Sequence, residues 1–185
     1  MAMAVADPRI EEVLGFWFSP ETEPRWFDST PEFDGELYRR FGALQEGAAA
    51  GNLDTWAGTA RGALALTILL DQLPRNLYRG TRRAFSCDAD ARRISRLALE
   101  QGFDQQVEAR ERAFFYLPLM HSEDLGDQQD CVRLYEALGN ARSLEYAIQH
   151  RDIIARFGRF PHRNAVLARE NTPDETEFLK THKGF

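Results

Sequence analysis

The run LALTILLDQLPRNLYRG, Leu64 to Gly80, decides the fold. From Leu64 to Leu73 it is apolar on nearly every side of a helix, the pattern of a segment surrounded by other elements, and it lacks the alternation of a half-buried strand. The spacing predicts a helix from Leu53 to about Leu73 at the centre of the molecule. Pro74 is expected to end or kink it, because proline has no N–H and its ring strikes the preceding turn. RNLYRGTRRAF is then expected to be irregular.

Working outward, every other segment reads as helix. Asp7 and Pro8 are a cap and first-turn pair for a helix to about Phe18 that shows Ile10, Val13, Leu14 and Trp17 on one face. Thr30 and Pro31 open a second, with Phe33, Leu37, Phe41 and Leu44 as its core stripe and Gly47 to Gly51 as a break. Asp88 is expected to cap a helix that Gly102 ends. Further helices are expected at about Glu108 to His121, Asp127 to Leu138 and Ala141 to Phe157, the last stopped by Gly158. Thr172 with Glu175 forms a capping box, with Pro173 at the first helical position. No segment alternates with period 2 and no clear repeat recurs at a fixed period. The expectation is a single all-α domain over residues 1–185, with about eight to ten helices.

The chain has 185 residues, a net charge of -6 and 43% hydrophobic residues, a composition suited to one globular core and too apolar for disorder. The start has no signal-peptide pattern. The longest apolar run, GALALTILL, is far short of the roughly 20 residues of a membrane span, so no membrane is expected and the protein reads as cytoplasmic. Cys87 and Cys131 form neither a disulfide framework nor a thiolate metal site. Cys87 precedes a helix start, where a thiol pKa can fall, though a small buried residue is the plainer account.

Of the 23 basic residues only Lys180 and Lys183 are lysines. The arginines are concentrated: Asp71–Arg83 and His150–Asn164 each sum to +3, which leaves -12 for the rest. Such separation suggests a local anion-attracting field and argues against a general nucleic-acid binder, whose basic footprint would be broader. Arg75, Arg79, Arg156, Arg159 and Arg163 supply planar forks for carboxylate or phosphate, and Asn76 and Asn164 add neutral hydrogen bonds. A competing account is that Asp71, Glu123 and Asp152 pair with these arginines and staple the helices together.

His121 follows Phe114 and Leu117 on an apolar face, and His150 shares one with Tyr146, Ile153 and Phe157, so both imidazoles are expected to point inward. Each could be a core histidine satisfied by one hydrogen bond. Beside His162, they could also supply acid or base chemistry. His121 with Glu123, and His150 with Asp152, look like metal-ligand pairs, but residues two apart on a helix point about 200° apart. With no HExxH spacing, no metal and no cofactor are expected. HRD at 150–152 resembles the kinase catalytic loop but lacks the glycine-rich loop and DFG, and that reading is rejected.

LLDQLPRNLYRGTRRAF, FFYLPLMHSED and HRDIIARFGRFPHRN, with FWF near the start and WF at Trp26, resemble the bacterial family called domain of unknown function 924. The resemblance covers nearly the whole chain. It implies an all-helical, tetratricopeptide-like arrangement and brings no activity, substrate or catalytic residue. One departure is local: where family members tend to have Gly, Arg, then Ser or Thr, this chain has Ala168, Arg169 and Glu170, an extra acid beside the basic segment.

The leading functional expectation is a partly buried pocket where the three motifs converge on a small anionic ligand, with His121, His150 or His162 as acid or base. The alternative is a tetratricopeptide-like module that grips an acidic peptide or protein partner. A third is RNA contact with stacking by Tyr78, Phe85 or Phe160. No feature of the chain specifies an oligomeric state.

Overall fold

The computed structural model describes residues 7–185. Among them there is no strand, and the chain is all-α. It divides into two compact units. Among the described residues, one comprises 7–79 with Arg83–Pro118, the other Gly80–Arg82 with Leu119–Phe185.

The first unit contains α1 (Pro8–Trp17), α2 (Pro31–Ala49), α3 (Ala60–Thr67), α4 (Leu73–Leu77), α5 (Asp88–Glu100) and most of α6 (Ala109–Met120). Asp7 caps α1 by accepting from the Arg9 N–H at 3.0 Å, and also accepts from Trp56 Nε1 at 3.2 Å. Ile10, Val13, Leu14 and Trp17 are all buried, as their spacing predicts. Thr30 caps α2, which runs to Ala49 through the expected break at Gly47.

The central segment departs from its expected form in two places. Asp54–Gly58 is a 3-10 turn, and the helix starts at Ala60, where the Thr59 hydroxyl accepts from Gly62 N–H at 3.1 Å. A Cβ on Gly62 would lie 2.2 Å from the Trp56 carbonyl oxygen, so only glycine lets the turn fold back this closely. At the other end Pro74 does not stop the helix. Ile68–Gln72 widens to a π-helix, and the chain continues as α4. Widening by one residue per turn moves the preceding carbonyls away from the proline ring, so the helix survives where an α-helical ladder would break. Leu64, Leu66, Ile68, Leu69, Leu70 and Leu73 are all at or below 1% exposure, which the all-round apolar pattern requires.

Cys87, rather than Asp88, occupies the N-cap of α5, and it makes no side-chain cap hydrogen bond. Asp88 is instead the first helical residue, where its negative charge suits the helix dipole. Gly102 (φ +65) ends the helix as expected, and Phe103 N–H reaches back to Ala98 O at 2.8 Å.

The second unit contains α7 (Leu125–Leu138), α8 (Ala141–Phe157), α9 (Asn164–Leu167) and α10 (Pro173–Phe178). Gly139 (φ +75) ends α7 and Asn140 at once caps α8, accepting from Ser143 N–H at 3.0 Å. So short a connection folds the two helices into an antiparallel hairpin. Gly158 (φ +69) ends α8 and a 3-10 turn, Pro161–Arg163, leads into α9. The Thr172–Glu175 capping box forms: Thr172 Oγ1 accepts from Glu175 N–H at 3.2 Å, and Glu175 Oε2 accepts from Thr172 N–H at 2.7 Å. Among the described residues no helix is long and apolar enough to cross a membrane.

Candidate functional site

The arginines of the first unit meet acids both near and far in sequence. Arg75 Nη1 donates to Asp71 O at 2.7 Å and lies 3.3 Å from Asp71 Oδ1 and 2.9 Å from Asp88 Oδ1. Asn76 Nδ2 donates to Asp34 Oδ1 at 2.8 Å and to Ser29 Oγ at 3.1 Å, and Arg79 Nη2 lies 3.2 Å from Asp34 Oδ2. Arg83 Nη2 lies 3.4 Å from Glu46 Oε1, so the +3 of this sequence window is matched in space by Asp34, Glu46 and Asp88. Cys87 is not activated by its place at a helix start: burial pushes its thiol pKa up. Among the described residues no three His, Cys, Asp or Glu side chains are placed to hold one metal ion.

In the second unit the loop after α8 is held by a polar network. Glu123 accepts from Phe160 N–H at 2.8 Å and from both terminal nitrogens of Arg169, at 2.7 and 2.9 Å. Burial would raise the Glu123 pKa, but these donors overcome it and hold the group below its ordinary value. Arg169 Nε also donates to Asn164 Oδ1 at 2.8 Å. Arg169 can turn back because Ala168 adopts a left-handed conformation (φ 55). Arg159 makes a two-pronged pair with Glu175 at 2.6 and 2.8 Å and donates to Glu170 O at 2.8 Å. Glu175 is 2% exposed, and the Arg159 fork holds its pKa down to about 2.

Asp152 is exposed and faces its neighbour, with Arg151 Nη2 at 2.6 Å. The Arg156 guanidinium lies over the Phe157 and Phe178 rings, 4.6 and 5.8 Å from their centroids. Of the sequence candidates here, Glu123, Arg159 and Asn164 share the stapling network, while Asp152 and Arg156 lie on the surface.

The histidines come together. His121 follows α6, His150 is on α8, His162 is in the 3-10 turn and His182 follows α10. The His121 and His150 rings are 6.4 Å apart, as are His162 and His182 at 6.3 Å. Phe160 links the pairs, 5.6 Å from His150 and 5.5 Å from His162, and Arg163 lies 4.5 Å over the Phe160 ring. Phe185 stacks on His150 at 3.6 Å with planes 19° apart. Neither His182 nor Phe185 is among the candidates that the sequence motifs suggest. Their signal is the spacing of Phe178, His182 and Phe185, 4 and then 3, which carries a helical face past the end of α10.

Burial, with His121, Arg163 and His162 nearby, lowers the His150 pKa to about 3. Burial and then Arg163 lower that of His162 to about 4, and burial lowers that of His182. The His150 and His162 imidazoles are therefore neutral at pH 7. His150 Nδ1 lies 2.7 Å from Tyr146 O, a partner that can only accept, so the ring proton sits on Nδ1 and Nε2 keeps its lone pair. His162 Nδ1 and His182 Nε2 are buried with no hydrogen-bond partner among the described residues.

An all-α chain with a nest of histidine and phenylalanine rings is thus the class that the fold and cluster define. The family model described as bacterial protein of unknown function (DUF924) matches residues 13–183, and the chain belongs to that family. It is similar to the solved structure of ATU0120, a protein of unknown function from Agrobacterium tumefaciens. The two are 40% identical with a TM-score of 0.90, over 95% of this chain and 98% of that one. No curated protein matches the chain.

Proposed function

We propose that the histidine cluster binds a small anionic molecule, a carboxylate or phosphate, with His150 or His162, and His121 beside them, available for acid or base chemistry. The observation that carries this is the convergence of imidazoles from separate segments on one aromatic nest. Buried polar atoms without a partner cost about 1–3 kcal/mol each, and His162 Nδ1 and His182 Nε2 are two such atoms. An anion that brings a proton into the nest turns such nitrogens into charged donors. Arg163, only 7% exposed, adds positive potential from below the aromatic wall. Glu123, Arg159, Asn164 and Arg169 are the frame that holds His162 and Arg163 in place.

The acidic-peptide alternative needs accessible arginines. An open depression of about 490 Å³ is lined by Arg156, Phe157, Arg159, Thr172, Asp174 and Glu175. Its two acids cancel its two cations, so it offers an acidic chain no net attraction. A compact ligand suits the cluster better, within a cytoplasmic protein whose helical array is tetratricopeptide-like.

A thermal-shift panel of phosphate, di- and tricarboxylates and acidic peptides tests this. A ligand at 100 times its Kd stabilises by about 2.7 kcal/mol, a rise of about 5–10 °C in a chain of this size. The expected result is such a rise with a small anion, lost in His162→Ala. A response to acidic peptides alone would overturn the reading.

A further inference from the structure

Past α10 the chain is held by rings more than by its backbone. Thr181 and His182 N–H both reach Phe178 O, at 3.2 and 3.1 Å, and beyond them no backbone hydrogen bond holds Lys183–Phe185 among the described residues. His182 stacks on Phe178 with centroids 4.8 Å apart. Phe185 then lies flat on His150 and meets the rings of His182 at 4.9 Å, His162 at 6.0 Å and Tyr146 at 6.5 Å edge-on.

Two features mark this as a seat built for a ring. Gly184 has φ +119, which residues with side chains rarely adopt, and a Cβ there would meet the His162 ring at 3.5 Å. The backbone freedom of glycine thus lets the chain turn beside His162 and deliver Phe185. The covering is also one-sided: His150 is 5% exposed, whereas the Phe185 lying on it is 51% exposed. Phe185 thus covers a face of the His150 ring while itself facing solvent.

We propose that residues 179–185 form a strap over the cluster, with Phe185 as an internal occupant of the place on His150 that a planar-ring anion takes. Such a ligand, an aromatic carboxylate for example, would have to displace Phe185. Its own ring would reproduce the stacking on His150 while its charge lies among the other imidazoles. The choice of ligand rests on the function proposed above; the closing of His150 by the strap does not.

Carbethoxylation with diethyl pyrocarbonate, mapped by peptide mass spectrometry, reads access to His150 directly. Labelling of His150 is expected to rise at least tenfold in Phe185→Ala. It should also rise in Gly184→Ala, which keeps the ring but strains the turn and serves as a second probe if the first variant folds poorly. In Phe185→Ala, benzoate should slow the labelling and acetate, the same charge without a ring, should not. Unchanged labelling in both variants would overturn the strap. Increased labelling on which benzoate acts no better than acetate would leave the strap standing and overturn the planar-ring ligand. A failure of the anion site itself would appear separately, as no protection by phosphate, benzoate or acetate.

Discussion

Lowering the pH from 7 to 5 should destabilise this protein through its histidines, before most carboxylates titrate. Folded His150 is held at a pKa of about 3, whereas the ordinary value is 6.5. Below pH 6.5 the unfolded chain therefore takes up a proton that the folded chain refuses, and protonation favours unfolding. The stability is fully present above pH 6.5 and is lost progressively as the pH falls toward 3. At pH 5 the difference spans 1.5 units below the unfolded value, or about 2 kcal/mol at 1.36 kcal/mol per unit. His162, held at about 4, spans the same 1.5 units at pH 5, and discounting its share to about 1 kcal/mol for its partial exposure to water brings the two together to about 3 kcal/mol. That corresponds to a fall in Tm of about 6–12 °C. The groups around His150 that set this behaviour are His121, His162 and Arg163, with Tyr146 O on Nδ1. Urea unfolding followed by circular dichroism at pH 7, 6 and 5 measures it. His150→Gln should remove about 2 kcal/mol of the difference between pH 7 and pH 5, whatever it does to stability at pH 7. Equal stability of the wild-type protein at pH 7 and pH 5, or an unchanged pH dependence in the variant, would refute the reasoning.

Two other substitutions probe the frame beneath the cluster. Glu175→Gln weakens the fork from Arg159 and half of the capping box. It should cost about 2 kcal/mol at pH 7, since Arg159 is partly exposed and regains water. Because the Glu175 pKa is depressed to about 2, that loss should be full above pH 4.5 and shrink as the pH falls toward 2, which unfolding curves at several pH values would follow. Ala168→Gly removes the strain of a left-handed alanine, a cost of about 1–2 kcal/mol partly offset by the added freedom of glycine in the unfolded chain. The expected gain is about 0.5–1 kcal/mol in the same urea assay.

The helices were legible in the sequence wherever a local device sets them. Asp7 with Pro8, Thr172 with Glu175, and Gly102 and Gly158 act within one turn of the chain, so adjacent residues identify them. At Pro74 the local sequence allows an end or a kink, and which occurs depends on burial across the whole 64–73 segment: a chain so thoroughly enclosed continues its helix by widening it. The arginine excess is ambiguous for a related reason. A window of sequence counts only its own acids, while Asp34, Asp88 and Glu175 reach these cations from other elements. The inward direction of His150 followed from its spacing to Tyr146 and Phe157, and the structure buries it. The meeting of His150 with His162, His182 and Phe185 depends on how the loop after α8 and the segment after α10 turn, and no local pattern specifies that.

In the function proposed here the histidine cluster takes a small anion together with a proton. Proton-detected NMR of the histidine ring protons, during titration with phosphate, citrate and benzoate at pH 6.5, tests it most directly. Saturable shifts of the His150 and His162 signals toward their protonated positions are expected, with both groups titrating at higher pH in the bound form than at their free values of about 3 and 4. Signals from these two rings that stay fixed through the titrations, while exposed residues respond to ionic strength alone, would contradict it.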